Sequence, residues 1–273
     1  MRFVPLVVLL VAAAVPPLTP LPAQTVAEHL ASGDSLRRAL QSEPALRHYQ
    51  EALALDPGNY EANWKAAREI ADVAKQLLGD SLKDRRDSLY SLGRTYAEAA
   101  LKADSTDASG HFALALVLGR LSRTRGGKER VRFARIIYDE ATRAVQLDST
   151  HDGAWHILGA WNAEVRRLSG FTRFFAKTLF GAGFMSRATW PDAVSDLERA
   201  VALSPQHIYH RLELAGVYLD VRETAKATEQ LRTLGLLPVG DPMDPYYQRL
   251  GAAALQEVQD GHVDEARDRL HKG

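Results

Sequence analysis

Cysteine is absent from this 273-residue chain, which excludes disulfides, thiolate metal sites, thiol catalysis and lipid attachment at a cysteine. Net charge is absent too. The 34 Lys+Arg residues balance 34 Asp+Glu, so the basic surplus that phosphate-backbone recognition draws on is missing and no nucleic-acid partner is expected. The apolar run from Val7 to Val15 is shorter than the roughly 18–20 residues that span a bilayer, and Pro16 and Pro17 interrupt it. It fits an export signal instead: Arg2 supplies a positive start, and Leu21-Pro22-Ala23 offers a small-residue cleavage site before Gln24. The expected organisation is a signal peptide over residues 1–23 and one domain over residues 24–273, exported to the periplasm and soluble. With 46% hydrophobic residues, that domain can bury a substantial core.

What is present is an internal repeat. An Ala is followed five residues on by Pro or Ser, and a pair of small or apolar residues stands nine and ten residues beyond. The copies are Ala52/Pro57/Ala66-Ala67, Ala100/Ser105/Leu114-Ala115, Ala144/Ser149/Leu158-Gly159 and Ala200/Pro205/Leu214-Ala215. Polar or Pro/Gly stretches such as Leu55-Asp56-Pro57-Gly58-Asn59 and Leu203-Ser204-Pro205-Gln206 stop one helix and cap the next. The small residues on either side let neighbouring helices approach. Units of this kind cannot bury an apolar face alone and must stack. The fold class is all-α, a superhelical solenoid of helix-turn-helix units.

Trp155-x-x-Leu158-Gly159 with Ala193, Leu197, Ala200 and Pro205, echoed by Arg211-x-x-Leu214-Ala215-x-x-Tyr218, resembles the tetratricopeptide repeat. The spacings depart from that family's 34 residues: Pro57 to Ser105 is 48, Ser105 to Ser149 is 44 and Ser149 to Pro205 is 56. Because the turns stay in register, the extra residues fall between the two helices of a unit, where helices lengthened by a few turns are expected. Two further units come after these, on Ala227, Leu231 and Leu234 and on Tyr247-x-x-Leu250-Gly251 with Ala266. The blocks Leu118-Gly119 to Lys128, Trp155 to Trp161, Ala176-x-x-Leu179-Phe180-Gly181 and Ala188-Thr189-Trp190-x-x-Ala193 are similar to the regulator of microtubule dynamics family. That resemblance implies an all-helical tetratricopeptide-like fold without catalytic residues to carry over. Association with microtubules or organelle membranes, implied for eukaryotic members, does not transfer to an exported chain.

The first helix of each unit carries a stripe expected on the concave face: Trp64, Arg68 and Ala71; Phe112, Leu116 and Gly119; His156, Ala160 and Ala163; Leu212, Gly216 and Leu219. The expected binding residues are Trp64, Arg68, Phe112, Leu116, His156, Tyr209, Arg211, Leu212 and Leu219, with Arg68 and Arg211 at the rim. Such a groove suits a protein or peptide segment, or alternatively a lipid or other apolar ligand. Packing of the lengthened helices into the groove is the bland alternative. A second candidate is the segment with Arg173, Phe174, Phe175, Lys177 and Phe180, whose interleaved cations and rings suit peripheral membrane contact, or else pack on the repeats.

Chemistry is thin. No metal and no cofactor is expected: His151, His156, His207 and His210 lack the accompanying carboxylate of a zinc-hydrolase helix, and His151 and His207 fall in turns. The run from Gly119 to Lys128 is no phosphate loop, because Glu129 stands where Ser or Thr is needed. Asp84 and Asp87, with Arg85 and Arg86 between them, read as a solvated helix face. No nucleophile, base and orienting group come together, so no enzymatic activity is expected.

Overall fold

The computed structural model of the chain describes residues 24–169 and 182–272. Residues 1–23, and the segment holding Arg173, Phe174, Phe175, Lys177 and Phe180, lie outside the described residues. Among the described residues there are twelve α-helices and no strand: α1 (Val26–Arg38), α2 (Ser42–Leu55), α3 (Tyr60–Lys75), α4 (Lys83–Ala103), α5 (Ala108–Ser122), α6 (Gly127–Leu147), α7 (Asp152–Arg167), α8 (Trp190–Leu203), α9 (Ile208–Asp220), α10 (Thr224–Leu236), α11 (Asp244–Gln259) and α12 (Val263–Lys272). Short 3₁₀ turns at Asp80–Leu82 and Ala182–Arg187 precede α4 and α8. The helices pair in chain order, and the first helices of successive pairs pack in a row, α3 on α5, α5 on α7, α7 on α9 and α9 on α11.

The four repeated turns are built alike. In each, the amide of the residue after the helix donates to the carbonyl of the frame alanine: Asp56 to Ala52, Asp104 to Ala100 and Asp148 to Ala144 at 2.9 Å, and Ser204 to Ala200 at 3.0 Å. The carbonyl of the frame Pro or Ser then accepts from a side chain six residues on. The donors are Asn63 Nδ2 to Pro57 (3.0 Å), His111 Nε2 to Ser105 (3.0 Å), Trp155 Nε1 to Ser149 (3.0 Å) and Arg211 Nε to Pro205 (2.9 Å). Four different residue types perform one task, satisfying a turn carbonyl that no helical amide can reach. Side-chain caps at Asn59, Asp107 and His151 open three of the helices after these turns.

Ala52, Ala67, Ala100, Ala115, Ala144, Ala200 and Ala215 are all fully buried. At Gly159 a Cβ would sit 2.6 Å from Leu197 Cγ, so only glycine admits α8 this close. Asn162 reaches the same helix, donating to Asp196 at 3.2 Å.

Helices α4 and α6 run to 21 residues each, the expected lengthening. Helices α7 and α8, of 16 and 14 residues, are not lengthened in this way, and among the described residues between them Met185 is buried in the core. Asp87 departs from the solvated face foreseen for it: it is buried, 3.3 Å from Lys83 and 3.6 Å from Arg125. Arg86 donates to the carbonyls of Leu77 and Gly79 at 2.6 Å each and so holds the connector ahead of α4.

Helix α1 is docked. Asp34 accepts from Tyr49 and Lys65, both at 2.7 Å, and Arg37 is paired with Glu69 and Asp72. No helix among the described residues is long and apolar enough to cross a membrane.

Candidate functional site

The row of first helices encloses a cavity of about 840 Å³, within the range of roughly 300–1,000 Å³ that ligand pockets occupy. One wall is α3, with Trp64, Arg68 and Ala71; the floor is α5, with Phe112, Leu116 and Gly119; the opposite wall is α7, with His156, Ile157, Ala160 and Trp161. Val131, Ala134 and Ile137 of the lengthened α6 close one side, and Tyr209 and His210 of α9 another. Six residues expected on the concave face therefore meet around one space: Trp64, Arg68, Phe112, Leu116, His156 and Tyr209.

The other three lie elsewhere, each for a visible reason. Arg211 is spent on its own turn, donating to Pro205 and, at 2.7 Å, to Gln230. Leu212 and Leu219 are buried in the core of the last three helix pairs. Helices α11 and α12 fold in across α9, so that a Cβ on Gly216 would touch Leu270 of α12 at 3.7 Å.

The cavity is bridged. Lys75 of α3 donates to Asp241, in the loop before α11, at 2.7 Å, and the Arg120 guanidinium of α5 lies 5.3 Å over the Tyr209 ring. Lys75 also pairs with Asp72 at 2.8 Å, and Asp72 with Arg37 at 2.8 Å. Burial raises the Asp72 carboxyl, yet Lys75 and Arg37 outweigh it and bring it down to about 2. Glu69 is fully buried between Arg37 and Arg68, and there burial prevails and pushes it up. The lining cations on α3 thus have anionic partners. Arg120 and Arg123, four and seven residues past Leu116 on the same stripe, are paired with no carboxylate among the described residues.

Four histidines also line the cavity. His207 and His210 stack at 3.8 Å between ring centroids, and His210 stacks on His156 at 4.7 Å. His210 Nε2 lies 3.0 Å from Asp152, whose carboxyl is raised by burial but brought down to about 2 by that contact. Burial, then repulsion from His210, lowers His207 to about 4, and the same two causes in the same order hold His156 well below the ordinary imidazole value. The Nδ1 atoms of His156, His207 and His210 are buried without a hydrogen-bond partner.

Sequence reasoning missed Arg120, Arg123, Trp161 and the histidine stack. The first two were accessible by extending the α5 stripe one more turn. Trp161, which donates to the Ala134 carbonyl at 2.8 Å, stands in the repeat motif, but its face is set by packing on α6. The stack was beyond reach, because it forms between two repeats.

A family model described as "Regulator of microtubule dynamics protein 1-3" matches residues 28–259. Regulator of microtubule dynamics protein 1 of Bos taurus is 26% identical over 198 residues, covering 72% of this chain and 61% of that protein. Regulator of microtubule dynamics protein 3 of Xenopus laevis is 26% identical over 176 residues, covering 64% of this chain and 37% of the relative. The chain thus spans between about a third and three fifths of the length of these relatives. Among solved structures, the thermophilic tetratricopeptide-repeat protein TTC0263 of Thermus thermophilus superposes with a TM-score of 0.59 at 18% identity, covering 85% of this chain and 100% of that one. The shared fold is the tetratricopeptide solenoid, and by the match over residues 28–259 the chain belongs to the regulator of microtubule dynamics protein 1-3 family.

Proposed function

We propose that this chain is a non-catalytic binding module that takes an acidic, amphipathic segment of a partner protein into its concave cavity. Apolar side chains of the segment lie against Trp64, Phe112, Leu116 and Trp161, and a carboxylate lies between Arg120 and Arg123. The observation that carries this reading is the pair of guanidinium groups, without carboxylate partners among the described residues, on an otherwise largely apolar wall. A guanidinium stays charged at any physiological pH, and pairing it with a carboxylate inside a cavity supplies the strongest hydrogen bonds available there. Export, read from residues 1–23, puts such a partner in the periplasm.

The Lys75–Asp241 bridge, 2.7 Å across the groove, favours a second reading, a carrier of a small apolar anion such as a fatty carboxylate. Fluorescence anisotropy with amphipathic peptides that differ only by Glu or Gln at one position tests the first. The Glu peptide is expected to bind at least ~10-fold tighter, as a charge-assisted pair requires, and the preference disappears in Arg120→Ala/Arg123→Ala. Equal binding of both peptides overturns it. Native mass spectrometry of protein from its exporting host tests the second: a stoichiometric adduct of lipid mass, lost in Leu116→Asp, selects the carrier, and a bare chain rejects it.

A further inference from the structure

The N-terminal helix pair carries a cluster that the cavity does not use. His29 of α1 and His48 and Glu51 of α2 bring three ligand atoms together: His29 Nδ1 and His48 Nδ1 are 3.1 Å apart, His29 Nδ1 and Glu51 Oε2 3.0 Å, and His48 Nδ1 and Glu51 Oε2 3.1 Å. The helices impose this arrangement. His48 and Glu51, three residues apart, share one face of α2. His29 stands one turn before Gly33 on α1, and at Gly33 the two helices touch so closely that a Cβ would fall 2.5 Å from the Tyr49 ring. His29 is buried, while Glu51 is exposed, so the cluster opens to solvent on one side.

Protons cannot satisfy this triangle. Each of its three edges is of hydrogen-bond length, yet a nitrogen that donates cannot also accept. If one imidazole donates to the other, the acceptor's lone pair faces the carboxylate across the third edge. If both donate to Glu51, two N–H groups face each other across the first. A cation above the triangle resolves all three edges at once. With bonds of about 2.0–2.2 Å to nitrogen and oxygen, an ion sits about 1 Å out of the plane of the ligand atoms, with its remaining position toward solvent. Among the described residues, this is the single group of three or more His, Asp or Glu whose ligand atoms lie this close together.

We propose that His29, His48 and Glu51 bind a divalent transition-metal ion, Zn²⁺ by the match of two imidazoles and one carboxylate to its preferences. Bound there, it staples α1 to α2 at the N-terminal end of the solenoid. This goes beyond the expectation, drawn from sequence, that the chain holds no metal. That expectation weighed the histidines of the cavity, and the ligands here come from two different helices.

The test is calorimetric titration of tag-free, chelator-treated full-length protein with Zn²⁺, repeated with Co²⁺ for its ligand-field spectrum. The expected result is one equivalent bound, with affinity falling by about 100-fold or more in His48→Ala and by about 10-fold or more in Glu51→Gln, since a three-ligand site cannot spare one. Both residues are only partly buried or exposed, so these variants keep the fold, which circular dichroism verifies. His207→Gln is expected to leave binding unchanged. Absence of a one-equivalent Zn²⁺ site, or a site indifferent to His48→Ala and Glu51→Gln, overturns the proposal. Loss of binding in His207→Gln with retention in His48→Ala overturns it as well and moves the metal to the cavity.

Discussion

Three helix pairs turn their inner stripe toward the cavity, and the fourth does not. Trp64/Arg68/Ala71, Phe112/Leu116/Gly119 and His156/Ala160 line it, whereas Leu212 and Leu219, at equivalent positions, are 4% and 0% exposed. The turns that set these helices are the same in all four units, down to the side-chain donor on the Pro or Ser carbonyl. Local register therefore does not decide which face stays open. The next units along the chain decide it: α3, α5, α7 and α9 are each succeeded by a pair whose first helix continues the row, but on α9 the second helix of that pair, α12, packs as well and covers the stripe.

Several substitutions bear on that contrast, the largest effect first. Leu219→Ala, in the covered stripe, is expected to cost about 2–5 kcal/mol, and Leu116→Ala, at the cavity wall, about 1 kcal/mol or less, because only the first leaves a void among packed neighbours. Urea unfolding of both variants measures the difference, and equal losses would erase the distinction between the two faces. Gly159→Ala is expected to destabilise by about 1–3 kcal/mol, since its Cβ would lie 3.0 Å from the Leu197 amide nitrogen, which cannot rotate away. A wild-type melting temperature in that variant would mean that α7 and α8 separate more easily than their contact suggests.

Acid distinguishes the histidine-lined end of the cavity from the rest. His207 is lowered from 6.5 to about 4, first by burial and then by His210, and His156 is lowered by the same causes. A depressed imidazole stays neutral in the folded chain while the unfolded chain takes up its proton, so stability falls as pH drops from about 6.5 toward 4. The expected loss is on the order of 1–2 kcal/mol by pH 5, and His207→Gln should flatten the slope measured by thermal unfolding across that interval. Asp152, brought down to about 2, acts in a lower window: its contribution is intact above 3.8 and disappears below that. The smallest effect is a gain. Gly119→Ala meets nothing within 4 Å and Gly216→Ala meets Leu270 only at ordinary contact distance, so each is expected to stabilise by up to about 1 kcal/mol through helix propensity. A loss at Gly216 alone would show α12 packed more tightly on α9 than the geometry indicates.

Much of this was readable beforehand. The alanine frame placed the helix ends within a residue or two, and the fifth and sixth pairs were visible in Ala227, Leu231, Leu234, Tyr247 and Ala266; two of the four stripes line the cavity throughout, and the third does so at His156 and Ala160 but buries Ala163 in the core. Arg211 misled for an instructive reason. An arginine six residues after a turn proline looks like a free rim cation, but the same position holds Asn63, His111 and Trp155 in the other units, and the shared property is a donor, not a charge.

Sequence by itself determined the helical period, the turn positions and the small residues that let helices close on one another, because each of these acts within a few residues of the chain. Only the tertiary structure decided that Lys75 meets Asp241 across the groove, that α12 hides the fourth stripe, that His156, His207 and His210 stack, and that His29 faces His48 and Glu51. Those juxtapositions depend on the rotation accumulated from pair to pair and on where the last pair comes to rest, and no local stretch of sequence encodes either.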